Sequence, residues 1–228
     1  MGRLYVVATP IGNLKDITLR AIDTLNEVDF IICEDTRKSK ILLDTYQIRK
    51  EMISYNAHSE TKKIPFIIEQ LLQGKSIALI SDAGTPCISD PGIRLVNEAI
   101  KRNIEIIGIP GANAATLALS ISGIPTDSYV FEGFLPQKKG RQTKLKELSK
   151  EERTIVLYES VYRIEKLLKE LSVYMPNRYI VVWRELTKMF EESWRGYPFE
   201  ILNQFSLKTI KGEFVIIIAP KKWKENFR

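Results

Sequence analysis

Ser76-Ile-Ala-Leu-Ile80-Ser81-Asp82-Ala83-Gly84-Thr85-Pro86-Cys87-Ile88-Ser89-Asp90-Pro91-Gly92 is the stretch on which the fold turns. Residues 76–80 read as a short buried strand, bounded by turn formers. A loop of small, acidic and proline residues follows, and residues 92–102 read as a helix that begins just past Asp90-Pro91. Strand, polar loop and helix in that order form the repeating unit of a parallel sheet with crossover helices.

The same alternation extends in both directions. Toward the N-terminus lie the strand Leu4–Ala8, a helix that Asp16 is placed to cap, the strand Val28–Cys33, a helical stretch near 37–46 and a helix over 61–73. The capping expectation rests on a carboxylate accepting from the free N–H groups of a first turn. Toward the C-terminus lie the strand Ile104–Ile109 and an Ala-rich helix over 112–122. Gly123-Ile-Pro125-Thr-Asp127 reads as a linker. Beyond it come Tyr129–Phe131, a basic helix over 141–150, the strand Thr154–Tyr158, a helix over 162–171, a strand over 178–183, a short helix near 199–205 and the strand Glu213–Ala219. Two α/β halves, 1–120 and 121–228, fit this order; one large doubly wound sheet is the competing arrangement. No internal repeat is present.

Composition narrows the classes. The chain has 228 residues, 44% hydrophobic and 27% charged, which suits one large core or two modest ones. No apolar run approaches the roughly 18 residues of a membrane helix. Met1 leads almost directly into a strand, with no secretory signal in this sequence, so a cytoplasmic, non-membrane protein is expected. Cys33 and Cys87 lie 54 positions apart, and His58 is the single histidine. Neither a disulfide framework nor a structural metal site is expected. Residues 1–118 hold 14 basic and 14 acidic side chains, whereas 119–228 hold 20 and 14, so the net charge of +6 lies in the second half. Its densest part is Lys138-Lys139-Gly-Arg141-Gln-Thr-Lys144-Leu-Lys146, with Lys221-Lys222-Trp223-Lys224 after it. Such patches attract phosphate backbones, although a solvated loop and tail read the same way.

Ligands of open parallel sheets bind beyond the carboxyl ends of the strands, and there the unusual residues gather. They are Thr9-Pro10-Ile-Gly12-Asn13, Glu34-Asp35-Thr36-Arg37, the 81–92 loop and Pro110-Gly111-Ala-Asn113. Glu159-Ser160 and Glu185-Leu186-Thr187 repeat the pattern in the second half. Small residues let a ligand approach the backbone, although each loop taken singly is an ordinary turn. Gly74-Lys75-Ser76 is no phosphate-binding loop, because Glu69 stands where its first glycine belongs and a strand follows. The first strand also lacks a Gly-x-Gly-x-x-Gly turn.

Read together, these blocks resemble the bacterial ribosomal small subunit methyltransferase I family, the ribosomal RNA branch of the tetrapyrrole methylase superfamily. The resemblance rests on Leu4–Asn13, Glu34–Arg37, Ser81–Pro86 with Ile88–Gly92, Phe131-Glu-Gly-Phe-Leu-Pro136, Tyr158-Glu-Ser160 and Arg184-Glu-Leu-Thr-Lys188. It implies two α/β domains of the tetrapyrrole methylase type, with S-adenosylmethionine held in the cleft between them, in a homodimer. It further implies 2′-O-methylation of a cytidine in the decoding region of 16S rRNA within the small ribosomal subunit. By the same resemblance, the methyl donor lies against Pro10, Asp82, Ala83, Gly84 and Ile88, with Gly111, Thr116, Tyr158, Glu185, Leu186, Gly212 and Glu213 closing the pocket. The chain departs from the family pattern at Ala8, Asn56-Ala57 and Gly111-Ala-Asn113, and the small C-terminal extension of many relatives is expected to be absent.

The implied reaction is an in-line displacement that needs positioning and a proton acceptor rather than a metal. Glu34, Asp35 and His58 are the candidate acceptors. Arg37, Lys38, Lys138, Lys139, Arg141 and Lys144 are the candidate RNA contacts, with Phe131 and Phe134 nearby for base stacking. A small-molecule methylase of the tetrapyrrole type and a non-catalytic RNA-binding relative remain the alternatives.

Overall fold

The computed structural model describes residues 2–205 and 211–224. The chain divides into two compact units, Met1–Asn113 and Ala114–Arg228. The division falls before the Ala-rich helix rather than at the Gly123–Asp127 turn. Ala115, Ala118 and Leu119 of that helix are buried, and it packs against strands of the second unit.

The first unit is built in the order β1 (Arg3–Val7), α1 (Leu19–Glu27), β2 (Phe30–Cys33), α2 (Thr36–Thr45), β3 (Glu51–Ser54), α3 (Glu60–Leu72), β4 (Ile77–Ile80), α4 (Ile93–Lys101) and β5 (Glu105–Ile109). Its five strands are all parallel, in the spatial order β3-β2-β4-β1-β5. Side chains of a strand alternate between faces, and β4 shows the consequence. Ile77 and Leu79 join the core under α3 and α4, while Ala78 and Ile80 join the core under α1 and α2. Both faces are thus covered, which explains why β2 and β4 are apolar throughout. Each fully buried Leu or Ile contributes about 1.5–3 kcal/mol. β3, half-exposed at one edge, was not expected from the sequence.

Asp16 does not cap the first helix. It closes a 3-10 turn, Leu14–Asp16, and Thr18 caps α1 by accepting from the Ala21 N–H. The turn spends the residues after Asp16 on an extended segment, so the helix starts one residue after Thr18.

The second unit holds α5 (Ala114–Ser120), β6 (Tyr129–Phe134), α6 (Arg141–Leu148), β7 (Thr154–Ser160), α7 (Ile164–Tyr174), β8 (Ile180–Arg184), β9 (Glu192–Gly196), α8 (Pro198–Phe205) and β10 (Glu213–Ile218). Its spatial order is β6-β7-β10-β8-β9. The expectation of parallel strands fails here. β10 runs antiparallel to both β7 and β8, and β9 antiparallel to β8. The cause is the connection between β8 and β9, which carries no crossover helix and so returns the chain beside the strand it left. Ile155, Leu157, Ile180, Val182, Phe214, Ile216 and Ile218 pack under α6, α7 and α8, and α5 lies against β7 and β10.

Candidate functional site

Because the first sheet is parallel, the carboxyl ends of β1, β2, β4 and β5 share one edge. The loops there are joined by backbone hydrogen bonds. Thr9 N–H donates to Gly84 O at 2.9 Å, and Gly84 N–H returns a bond to Thr9 O at 3.0 Å. Thr9 Oγ1 also donates to Ser81 O, and Thr85 Oγ1 to Ala112 O. Gly84 adopts φ +82°, and a Cβ there would meet Ile11 Cγ2 at 3.3 Å. At Gly111 a Cβ would meet that of Ala8 at 3.0 Å, so the loop after β5 lies flush on the loop after β1. Pro10, Asp82, Gly84 and Gly111, expected to share one ligand, therefore belong to one interlocked loop cluster. Ala83 and Ile88 are exposed on it.

Between Gly84 and Gly92 the chain doubles back. Cys87 and Ser89 take left-handed backbone angles, φ 70° and 65°, which cost a non-glycine residue about 1–2 kcal/mol each. Gly92, at φ +134°, passes so close to Leu79 and Cys87 that a Cβ would lie 2.7 Å from each. The Glu60 carboxylate anchors this return: it accepts from the Gly92 N–H at 3.2 Å and from Tyr55 Oη at 2.9 Å. Burial pushes the Cys87 thiol up to about 11, so it is a packing group rather than a nucleophile. Cys33 is fully buried in the core.

The return brings Asp90 into the company of Glu34 and Asp82. Burial pushes the Asp90 carboxyl up to about 6, the charges of Glu34 and Asp82 add to that, and a hydrogen bond from Ser81 opposes it. Burial likewise raises Glu34, helped by Asp82. Asp35 behaves oppositely. It accepts from Arg37 Nε, Nη2 and backbone N–H at 2.7–3.0 Å, and these bonds hold its carboxyl down at about 2. Asp35 is the N-cap of α2, and its bonds from Arg37 make it a poor proton acceptor near neutral pH. His58 stands exposed in the turn before α3, where its N–H donates to Asn56 Oδ1. In the sequence Asp90-Pro91 reads only as a helix start, with nothing to mark the raised Asp90 carboxyl. Gly92 was the one local signal of the return.

Among the RNA-contact candidates, Arg37 is exposed while paired to Asp35, and Lys38 reaches Asp82 Oδ2 at 2.7 Å. Asp82 also accepts from the Asp35 N–H at 3.0 Å, tying the loop after β4 to α2.

In the second unit, Tyr158 Oη accepts from the Ala115 N–H at 3.1 Å, next to Thr116 on α5. A separate cluster forms around Glu185. Its Oε1 accepts from the Glu213 N–H and from Lys188 Nζ, both at 2.9 Å, and Lys188 also meets Glu213 Oε2. Burial raises the Glu185 carboxyl, but Lys188 and the Glu213 N–H outweigh it and leave the group below its ordinary value. Gly212, at φ +109°, would carry a Cβ 2.5 Å from Glu185 Cγ. Leu186 is buried, and the hydroxyl of neighbouring Thr187 is buried without a hydrogen-bond partner among the described residues.

Lys138 and Lys139 are exposed, and Lys144 is half-exposed beside Glu132 at 3.2 Å. Arg141 is a correction. Its side chain is 3% exposed and is paired with Glu170 at 2.7 Å and Glu159 at 3.5 Å. Its spacing among lysines suggested a surface cation, but two acidic side chains on β7 and α7 hold it inside.

The profile of the tetrapyrrole (corrin/porphyrin) methylases matches residues 3–201. The ribosomal RNA small subunit methyltransferase I of Thermotoga maritima is 43% identical, over 97% of this chain and 100% of its own. That of Halalkalibacterium halodurans is 48% identical, over 95% of this chain and 75% of its own. Among solved structures, uroporphyrin-III C-methyltransferase from Thermus thermophilus, complexed with S-adenyl homocysteine, superposes with a TM-score of 0.68 at 16% identity, covering 95% of this chain and 97% of its own. A diphthine synthase gives 0.72 at 13% identity, covering 96% of this chain and 90% of its own. At such identities the structural likeness concerns the fold.

Proposed function

The chain belongs to the ribosomal RNA small subunit methyltransferase I family, within the tetrapyrrole methylases, and on that premise we propose that it transfers a methyl group from S-adenosylmethionine to a ribose 2′-hydroxyl of 16S rRNA. The nucleotide is a cytidine of the decoding region. The proposal includes a homodimer acting in the cytoplasm on the small ribosomal subunit. Among the described residues no helix is long and apolar enough to cross a membrane.

The observation that carries the reading is the interlocked loop cluster with a high-pKa carboxylate beside it. Its chemistry suits the methyl donor. Gly111 presents its backbone at the surface without a side chain, Gly84 packs the loop after β4 tightly against Ile11, and Asp82 and Glu34 supply acceptors for amino and hydroxyl groups next to a cationic ligand. We assign the donor to Pro10, Asp82, Ala83, Gly84, Ile88 and Gly111. When bound, S-adenosylmethionine supplies a methyl group already activated by its sulfonium. The protein's part is to hold the ribose oxygen in line and to take its proton. Asp90 takes that role, because an acceptor works best with a pKa near the working pH. Asp90 would take the hydroxyl proton as the methyl group passes from sulfur to the ribose oxygen, with the Glu34 and Asp82 carboxyls beside it.

The test is to incubate the purified protein with labelled S-adenosylmethionine and 30S subunits lacking the modification, then map the label. A 2′-O-methylated decoding-region cytidine is expected. Donor binding with no transfer to RNA would sink the rRNA assignment and favour a small-molecule substrate.

A further inference from the structure

Three loops of the second unit leave its sheet at one edge. β6 runs parallel to β7, and β7 and β8 are both antiparallel to β10, so the segments after Phe134, Ser160 and Arg184 emerge together beside the start of β10. Their apolar side chains point outward. Phe134 is 51% exposed, Tyr162 93%, Met189 89% and Phe190 67%. Isolated exposed apolar residues are ordinary, but several on one edge mark a surface that is covered in use.

The edge is held in shape from beneath. Residues three apart on a regular strand lie on opposite faces, yet Phe131 and Phe134 both reach Tyr158, with ring centres at 5.1 and 5.7 Å. A bulge between Phe131 and Gly133 brings them to the same side. Arg163 lies 5.8 Å from the Phe134 ring centre and donates to Leu135 O, while Arg141 donates to Pro136 O. Fully buried Glu159 pairs with both arginines, at 2.8 Å to Arg163 and 3.5 Å to Arg141. The backbone that leads into Lys138 and Lys139 is therefore clamped by two arginines whose charges are satisfied internally. Those two lysines remain exposed.

We propose that this edge binds an unpaired stretch of the substrate RNA, with bases stacking on Tyr162 and Phe190 and phosphates on Lys138 and Lys139. The inference rests on the methyltransferase reading above. Aromatic faces alone suit either RNA or a second copy of the chain. Charge decides between them: phosphates neutralise exposed Lys138 and Lys139, whereas a twofold contact would gather the lysines of both copies in one interface. Stacking needs bases free of a duplex, which selects single-stranded RNA.

The experiment compares wild type, Tyr162→Ala, Phe190→Ala and the double variant Lys138→Gln/Lys139→Gln. Each is measured against a short labelled oligoribonucleotide of decoding-region sequence across a salt series, and for methyl transfer to 30S subunits. Each aromatic variant is expected to weaken RNA binding about tenfold with the salt slope unchanged. The lysine variant is expected to lower that slope by about 1.4, roughly 0.7 for each phosphate that is no longer neutralised. Methyl-donor affinity, read by calorimetry, stays at the wild-type value in all of them and shows that they fold. Aromatic variants that bind RNA and transfer methyl like an active wild type overturn the inference alone. So does a change in sedimentation coefficient with RNA affinity unchanged, which makes the edge a contact between copies. A wild type that neither methylates 30S subunits nor binds the oligoribonucleotide overturns both this inference and the reading beneath it.

Discussion

Asp90 in the first unit and Glu159 in the second are both carboxylates in loops or strand ends at the edge of a sheet, and their surroundings are opposite. Asp90 is half-buried beside Glu34 and Asp82, and its carboxyl rises to about 6. Glu159 is buried more deeply, yet Arg141 and Arg163 lie within ion-pair distance of it. In the first unit the environment keeps a group close to exchanging its proton; in the second it spends the same residue type on holding a loop still. A carboxylate at a strand end is thus no sign of chemistry until its partners are known.

The strongest way to break this comparison is to remove the proposed proton acceptor. Asp90→Asn is expected to slow methyl transfer at pH 7.5 by about 100-fold or more, while donor affinity persists. The wild-type rate should climb with pH through about 6, as the carboxyl ionises, and the variant should lose that limb. The stability effect has the reverse sense. A folded-state value raised above the ordinary 3.8 favours the folded protein as pH falls through 6 toward 4. Asp90→Asn should therefore melt higher than wild type at pH 7, with the advantage gone at pH 4. Equal rates and equal melting temperatures at both pH values would remove Asp90 from the mechanism.

Arg141→Ala tests the other side. It strips a partner from Glu159 and Glu170 in the interior, and breaking a buried pair costs about 3–5 kcal/mol. At about 2–4 °C per kcal/mol for a chain of this size, calorimetry should record a fall of at least about 6 °C. A variant that melts with wild type would mean that the pair is solvated. Gly84→Ala comes next. The left-handed angle and the contact with Ile11 together cost about 2 kcal/mol, readable as an earlier denaturant midpoint. Smallest is Thr18→Ala, which should cost about 1 kcal/mol by removing the cap of α1, whereas Asp16→Ala should cost less.

Most of the first unit was legible because its parallel sheet writes itself as apolar runs between periodic helices. Residues 76–80 were read as a strand, which the structure forms over Ile77–Ile80, and the 81–92 loop was read as the connection. β3 was not, since Glu51-Met-Ile-Ser54 sits half-exposed at the edge and lacks an apolar run. In the second unit, β9 carries Glu192, Ser193 and Arg195 and has no apolar run, which hid the antiparallel turn. The loop residues that share the candidate site were legible as blocks of unusual small residues. Asp90 was not, because its raised pKa depends on a doubling-back through Cys87 and Ser89 of which Gly92 is the one local sign. Nor was the burial of Arg141, whose partners Glu159 and Glu170 lie 18 and 29 residues further on.

The spatial order of the second sheet sets a schedule for its folding. β10, the last strand among the described residues, is its central one, flanked by β7 and β8. Until residue 218 has been synthesised and released from the exit tunnel, those two strands have no partner on their facing edges. The first unit has all five of its strands once residue 109 emerges. During translation the unit bearing Asp90 can settle while the other waits, its exposed strand edges open to mispairing and a natural station for a chaperone.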